Sequence, residues 1–176
     1  MIRIGVCGMC LLFATRLAMA QSVGEKTGVN AVVGVTPTTQ DFVTEAAQSD
    51  MFEIQSSKMA LNSMDGPTKD FAQNMIDDHT KTTTELKAAV SKGEGRATLP
   101  LAMSSSQQSM IARLNDLHGP DFDKQYHSDQ VSAHKDAVSL FQRYGKSGTD
   151  AGLKDWAATT EPALEHHLEM AQNLNK

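Results

Sequence analysis

Cysteine is missing beyond residue 10: the only two thiols, Cys7 and Cys10, sit near the start of the chain. If that start is cleaved, the remainder has no disulfide, no thiol nucleophile and no cysteine-ligated metal. Core packing alone must then hold it together. Lys and Arg never form a run of five. Phosphate binding needs concentrated positive charge, so nucleic acid is not an expected partner. After Ala20 no apolar run approaches the roughly 18 residues of a membrane helix, which excludes an integral membrane protein. Period-two alternation and hairpin dipeptides are absent, so no strand is expected. The chain also lacks Gly-x-Ser-x-Gly, His-Glu-x-x-His, a phosphate loop and a dinucleotide fingerprint. The balance leans away from an enzyme.

The N-terminus carries an export pattern. Arg3 supplies the positive start, residues 4–13 are mostly apolar, and Ala18-Met19-Ala20 precedes Gln21. This reads as a signal peptide over 1–20, cleaved after Ala20, and predicts a periplasmic product. Without Arg3 and Arg16 the chain has 14 basic against 21 acidic residues, a formal charge of −7. The remaining length, about 155 residues, suits one domain. Residues 21–40 hold Gly24, Gly28, Gly34 and Pro37 without helical period and read as a flexible arm.

From residue 41 onward the apolar spacing is helical. Phe42, Ala46, Ser49, Glu53, Ala60 and Met64 mark one face of a first helix, with Val43, Ala47, Asp50, Ile54 and Leu61 adjoining. Asp65-Gly66-Pro67 ends it, and Pro67 suits the first turn of the second. The second helix presents Phe71, Met75, Ile76, His79, Leu86 and Val90, and stops at Gly93-Glu94-Gly95. A short serine-capped helix is predicted over 104–117, broken by Gly119-Pro120. A long helix follows from Phe122 to Tyr144. The last begins after Thr149 or Asp150, and Pro162 should kink it or place a boundary near Glu161. The expected class is all-α. The long passage between the second and third long helices, carrying its own short helix, favours a four-helix bundle with one crossover, the ferritin-like connection, over 41–176.

Several segments support a resemblance. They include Asp41-Phe42-Val43-Thr44-Glu45-Ala46-Ala47, Phe71-Ala72-Gln73-Asn74-Met75-Ile76-Asp77-Asp78-His79-Thr80, Leu99-Pro100 and Phe122-Asp123-Lys124-Gln125-Tyr126. His134-Lys135-Asp136-Ala137-Val138-Ser139-Leu140-Phe141 and His167-Leu168-Glu169-Met170-Ala171 complete the set. In this order the chain resembles an exported bacterial ferritin-like family known as domain of unknown function 4142. The resemblance implies a ferritin-like bundle and an exported location, and no assigned reaction. The family pattern commonly has Asp-His in the second and third long helices and Glu-His in the last. Asp78-His79 keeps it, whereas this chain reads Ala133-His134 and His166-His167 at the other two places.

Glu53, His79, His134 and His167 each fall on the apolar face of a different long helix. Buried among aliphatic side chains, each costs several kcal/mol unless something pairs with it. Two readings follow. In the first, the four satisfy one another in an internal polar layer of a non-catalytic binding or envelope-stress protein. In the second, they hold one transition-metal ion (zinc, iron, copper or nickel) in a mononuclear site, with Asp78 or His166 orienting a ligand from behind. Di-iron chemistry of the ferritin-like kind needs Glu-x-x-His on two helices. None is present; Ile76, Val131 and Leu164 stand three residues before the histidines. The methionines beyond the leader are scattered and read as core filling.

Overall fold

The computed structural model describes residues 34–93 and 97–174. The expected signal peptide and most of the N-terminal arm lie outside these residues. Five helices account for all regular structure among them: α1 (Thr39–Ala60), α2 (Gly66–Lys92), α3 (Ser105–Asn115), α4 (Gly119–Ser147) and α5 (Ala151–Asn173).

The helix starts are set by short polar side chains that accept from otherwise unpaired amides. The Thr38 hydroxyl accepts from the amide of Asp41, Asp65 from that of Thr68, and Asp150 from that of Leu153. Ser104 and Gln107 form a reciprocal capping box at α3. The α3–α4 junction departs from expectation. α3 already ends at Asn115, capped by Asp116, and Gly119-Pro120 instead opens α4, three residues before Phe122. Gly119 takes a φ of 55°, a left-handed value that only glycine adopts without strain. Pro120 then occupies the first turn, where its missing N–H is no loss.

Two further expectations are corrected. α1 stops at Ala60, short of Asp65, so the apolar stripe does not extend to its predicted end. Met64, beyond the end, is consequently 92% exposed, and Leu61, the C-cap, is 37% exposed. Of the two outcomes expected at Pro162, the boundary near Glu161 is the one corrected: α5 runs through it as one helix. The carbonyl that loses its bond belongs to Ala158, an exposed residue.

The four long helices pack side by side in the cyclic order α1, α2, α5, α4, each neighbouring pair antiparallel. Asp50 of α1 meets His79, Thr82 and Thr83 of α2. Glu85 and Asp78 of α2 meet Trp156 and His167 of α5. Thr39 and Ser57 of α1 meet Tyr144 and Tyr126 of α4. Hence α2 and α4 run in the same direction, and the chain between them must travel back along the assembly. It does so against α1. Gln40 exchanges two hydrogen bonds of 2.9 Å with the Thr98 backbone, and Gln48 donates to the Ala102 carbonyl. Arg113 of α3 then bonds Asp129 of α4 at 3.1 Å.

Apolar packing divides into two clusters. One joins Phe42, Leu86, Leu140, Phe141, Tyr144, Leu153 and Leu164. The other joins Phe71, Met75, Leu114, Phe122, Tyr126 and Ala171. On α2, α4 and α5 the histidine of interest falls in sequence between residues of the two clusters. The polar layer is therefore sandwiched by apolar ones. Close approach of α4 and α5 depends on Gly145, where an added Cβ would stand 3.0 Å from the Ala158 nitrogen and 3.1 Å from its Cα. Backbone cannot yield as a flexible side chain can. Gly145→Val is expected to destabilise the fold by about 1–3 kcal/mol, measured as a lower urea midpoint.

Candidate metal centre

Three of the four residues singled out by sequence come together in the middle of the helix assembly. One ring nitrogen from each of His79, His134 and His167 lies within 4.8 Å of the others. Their ring centroids are 5.5 to 5.6 Å apart, and the side chains are almost fully buried. They arrive from α2, α4 and α5 respectively, so no two share a helix.

The outer nitrogen of each ring is anchored. His79 Nδ1 lies 2.9 Å from Asp50 Oδ1, His134 Nδ1 lies 2.9 Å from the Gln130 carbonyl, and His167 Nε2 lies 2.9 Å from Asp78 Oδ2. An ionised carboxylate or a carbonyl can only accept. Each anchored nitrogen must therefore carry the proton, which fixes the tautomer. The nitrogens left over are Nε2 of His79, Nε2 of His134 and Nδ1 of His167, and all three are buried without a hydrogen-bond partner. In the neutral rings these are three lone pairs in one small space, a layer that cannot satisfy itself. A positive charge between them removes the repulsion. Imidazole ligands of metals commonly have the opposite nitrogen bonded to a carboxylate or carbonyl in this manner.

The electrostatics favour a single positive charge in the cluster. Burial pushes His134 down to about 3, with the neighbouring His79 charge adding to the effect. Burial also lowers His167, again reinforced by His79. For His79 burial works in the same direction, but the Asp50 hydrogen bond and the Glu53, Asp50 and Asp78 charges outweigh it and hold the ring above its ordinary value. One ring gains a proton easily and the other two resist. A bound cation would take the place of that proton.

Asp50 is the residue that sequence reasoning assigned no role. Besides the His79 bond, its carboxylate accepts from the Thr82 and Thr83 hydroxyls at 2.8 and 3.0 Å. Both of its oxygens are thus engaged although the residue is nearly buried. The available signal was an acid one helical turn before Glu53, on the apolar side of α1. Gln130 was missed because its backbone, not its side chain, makes the contact. Asp78 anchors His167 from a half-exposed position at the α2–α5 seam. His166 is exposed and does not join the cluster.

Glu53 is fully buried beside the cluster rather than within it. Its Oε1 stands 3.9 Å from His134 Nδ1, the anchored nitrogen. Neither of its oxygens has a hydrogen-bond partner. Burial, partly opposed by the His79 charge, raises its pKa to about 7. Gln130 Oε1 is likewise buried and unpartnered, while its Nε2 donates to Ser56. Because the folded-state pKa lies above the unfolded value, the stability linked to a neutral Glu53 is complete below about pH 4.5. It is lost as pH rises through about 7. Glu53→Gln imitates the neutral acid. In chelator-treated protein it is expected to add up to about 3 kcal/mol at pH 8 and nothing at pH 4, as read from urea unfolding at the two pH values.

Among the described residues the fold and this cluster define an all-helical protein with a buried three-histidine centre. The chain belongs to the family described as Domain of unknown function (DUF4142), whose model matches residues 24–174. No curated protein and no solved structure matches it.

Proposed function

We propose that this protein binds one transition-metal ion through His79, His134 and His167, with Glu53 completing the charge balance from beside the site. The observation that carries the reading is the orphaned inner nitrogen on each of three buried rings whose outer nitrogens are anchored. A polar layer serving only to fix helix register would pair those nitrogens with one another or with Glu53. Neutral nitrogen donors with an adjacent carboxylate suit zinc, copper, nickel or iron. The near-complete burial favours a closed site that clamps three helices over one open to a bulky substrate. The crossover between two parallel long helices fits a ferritin-like bundle. Two neighbouring carboxylate-rich ligand sets of the di-iron type are not supplied. An exported, periplasmic setting, drawn from the leader pattern over 1–20, belongs to the same proposal.

The test is metal content. Protein purified from cells grown with added zinc, copper, iron and nickel is expected to carry about one equivalent of a single metal by plasma mass spectrometry. His79→Ala should lose it. Metal-free protein whose melting temperature ignores all four ions would overturn the proposal.

A further inference from the structure

The passage from residue 97 to 104 lies along α1 and leaves a groove on either side of it. The groove toward α2 has a volume of about 700 Å³ and is lined mainly by apolar side chains, among them Met51, Ile54, Leu86, Leu99, Pro100 and Met103. Its polar floor is Asp50 and Thr83, which are already committed to each other and, through Asp50, to His79. The remaining ionic groups at its edge are Lys58 and Lys87. Both are exposed, and neither forms an ion pair among the described residues. The groove on the other side, toward α4, has the opposite character. It is lined by serines and glutamines, carries Glu45 and Asp136, and contains no lysine. In a chain with an excess of acidic residues, an apolar trough flanked by two unpaired lysines is a distinct local environment.

We infer that the groove between α1, α2 and residues 97–104 binds a single-chain aliphatic monocarboxylate, its chain against Met51, Ile54 and Leu99 and its head group at Lys58 or Lys87. The volume falls in the range of small-molecule pockets, roughly 300–1,000 Å³. Asp50 and Lys58 are eight residues apart on one helix, so the trough from floor to lysine runs about 12 Å at 1.5 Å per residue. That length matches a chain of about ten carbons. The carboxylate stays at the solvent edge, where ion pairing with lysine avoids a desolvation cost, while the chain removes Ile54 and its neighbours from water. Charge complementarity selects the anion over a cationic or neutral chain of the same length. The groove shares Asp50 with the anchoring of His79 but contains none of the three proposed metal ligands, so it is tested on chelator-treated full-length protein.

Decanoate, decanol and decyltrimethylammonium are titrated calorimetrically below their micelle concentrations. Decanoate is expected to saturate at one site. Decanol should bind at least tenfold more weakly, and the cation should give no saturable heat. Lys58→Ala/Lys87→Ala should weaken decanoate about tenfold and leave decanol unchanged. Ile54→Glu should abolish binding of both; its helical circular dichroism and unfolding midpoint establish that it is folded. Ile54→Ala, which adds no charge, should weaken both. Equal binding of the three amphiphiles, or decanoate binding indifferent to the lysine pair and to both Ile54 variants, would overturn the inference.

Discussion

Zinc added to chelator-treated protein is expected to raise its melting temperature by about 8–16 °C. An ion that binds only the folded state stabilises it by RT ln(1 + [L]/Kd), about 4 kcal/mol at a thousandfold excess over Kd. In a domain of this size each kcal/mol moves the midpoint by about 2–4 °C. The unfolded chain offers no comparable site, because the three ligands lie on three helices that only packing brings together. Each variant is compared with itself, with and without metal, so any packing loss from the substitution cancels. His134→Ala should remove nearly the whole shift, since two imidazoles remain. Asp50→Asn should keep part of it: the ligands persist, but His79 loses the charged acceptor that fixes its tautomer, and such losses weaken affinity about 10–100-fold. Thr82 and Thr83 then lose a charged acceptor as well. A shift of equal size in wild type and His134→Ala would place the metal elsewhere.

The helices were legible because their signals are local. Ser104 and Asp150 cap where the spacing places a cap, while α1 is capped by Thr38, just ahead of its expected start, and Asp65, read as the end of the first helix, caps the second. The histidines were legible because a titratable ring on an apolar stripe has to be explained by something across the core. What a one-dimensional pattern cannot carry is the facing partner. Asp50 looked like one more position on a broad stripe, and only the proximity of α2 reveals that it holds His79, Thr82 and Thr83. The acceptor for His134 is a backbone carbonyl, which has no sequence signature. Helix ends were misread for a related reason. Met64 continues the apolar spacing, but it lies beyond the last hydrogen-bonded turn and no longer shares the face of the residues before it. Pro162 shows the reverse: a local breaker places no boundary when the rest of a 23-residue helix is held by packing and the freed carbonyl belongs to an exposed residue.

Phe42→Ala is expected to lower unfolding free energy by about 3–5 kcal/mol, a large fraction of what a domain of this size has. The ring is completely buried and is the hub of the cluster at the α1 start. It stacks on Tyr144 at 4.1 Å with the planes 5° apart, and meets the edges of Phe141 and Trp156 at 5.1 and 6.0 Å. Those partners come from α4 and α5, so one side chain ties three helices together. Truncation leaves a cavity that three rings on rigid helices cannot fill. Phe42→Leu keeps most of the volume and should cost clearly less. The metal centre lies toward the middle of the assembly, in a separate layer from Phe42, and energies of distant sites that share no partner add. The zinc-induced rise in unfolding free energy, in kcal/mol, should therefore be the same in Phe42→Ala as in wild type, on a lower baseline. Urea unfolding of both proteins with and without zinc gives the four values. A zinc increment that shrinks together with the baseline would mean that the two layers are one cooperative unit, and that the histidine cluster depends on the aromatic end for its geometry.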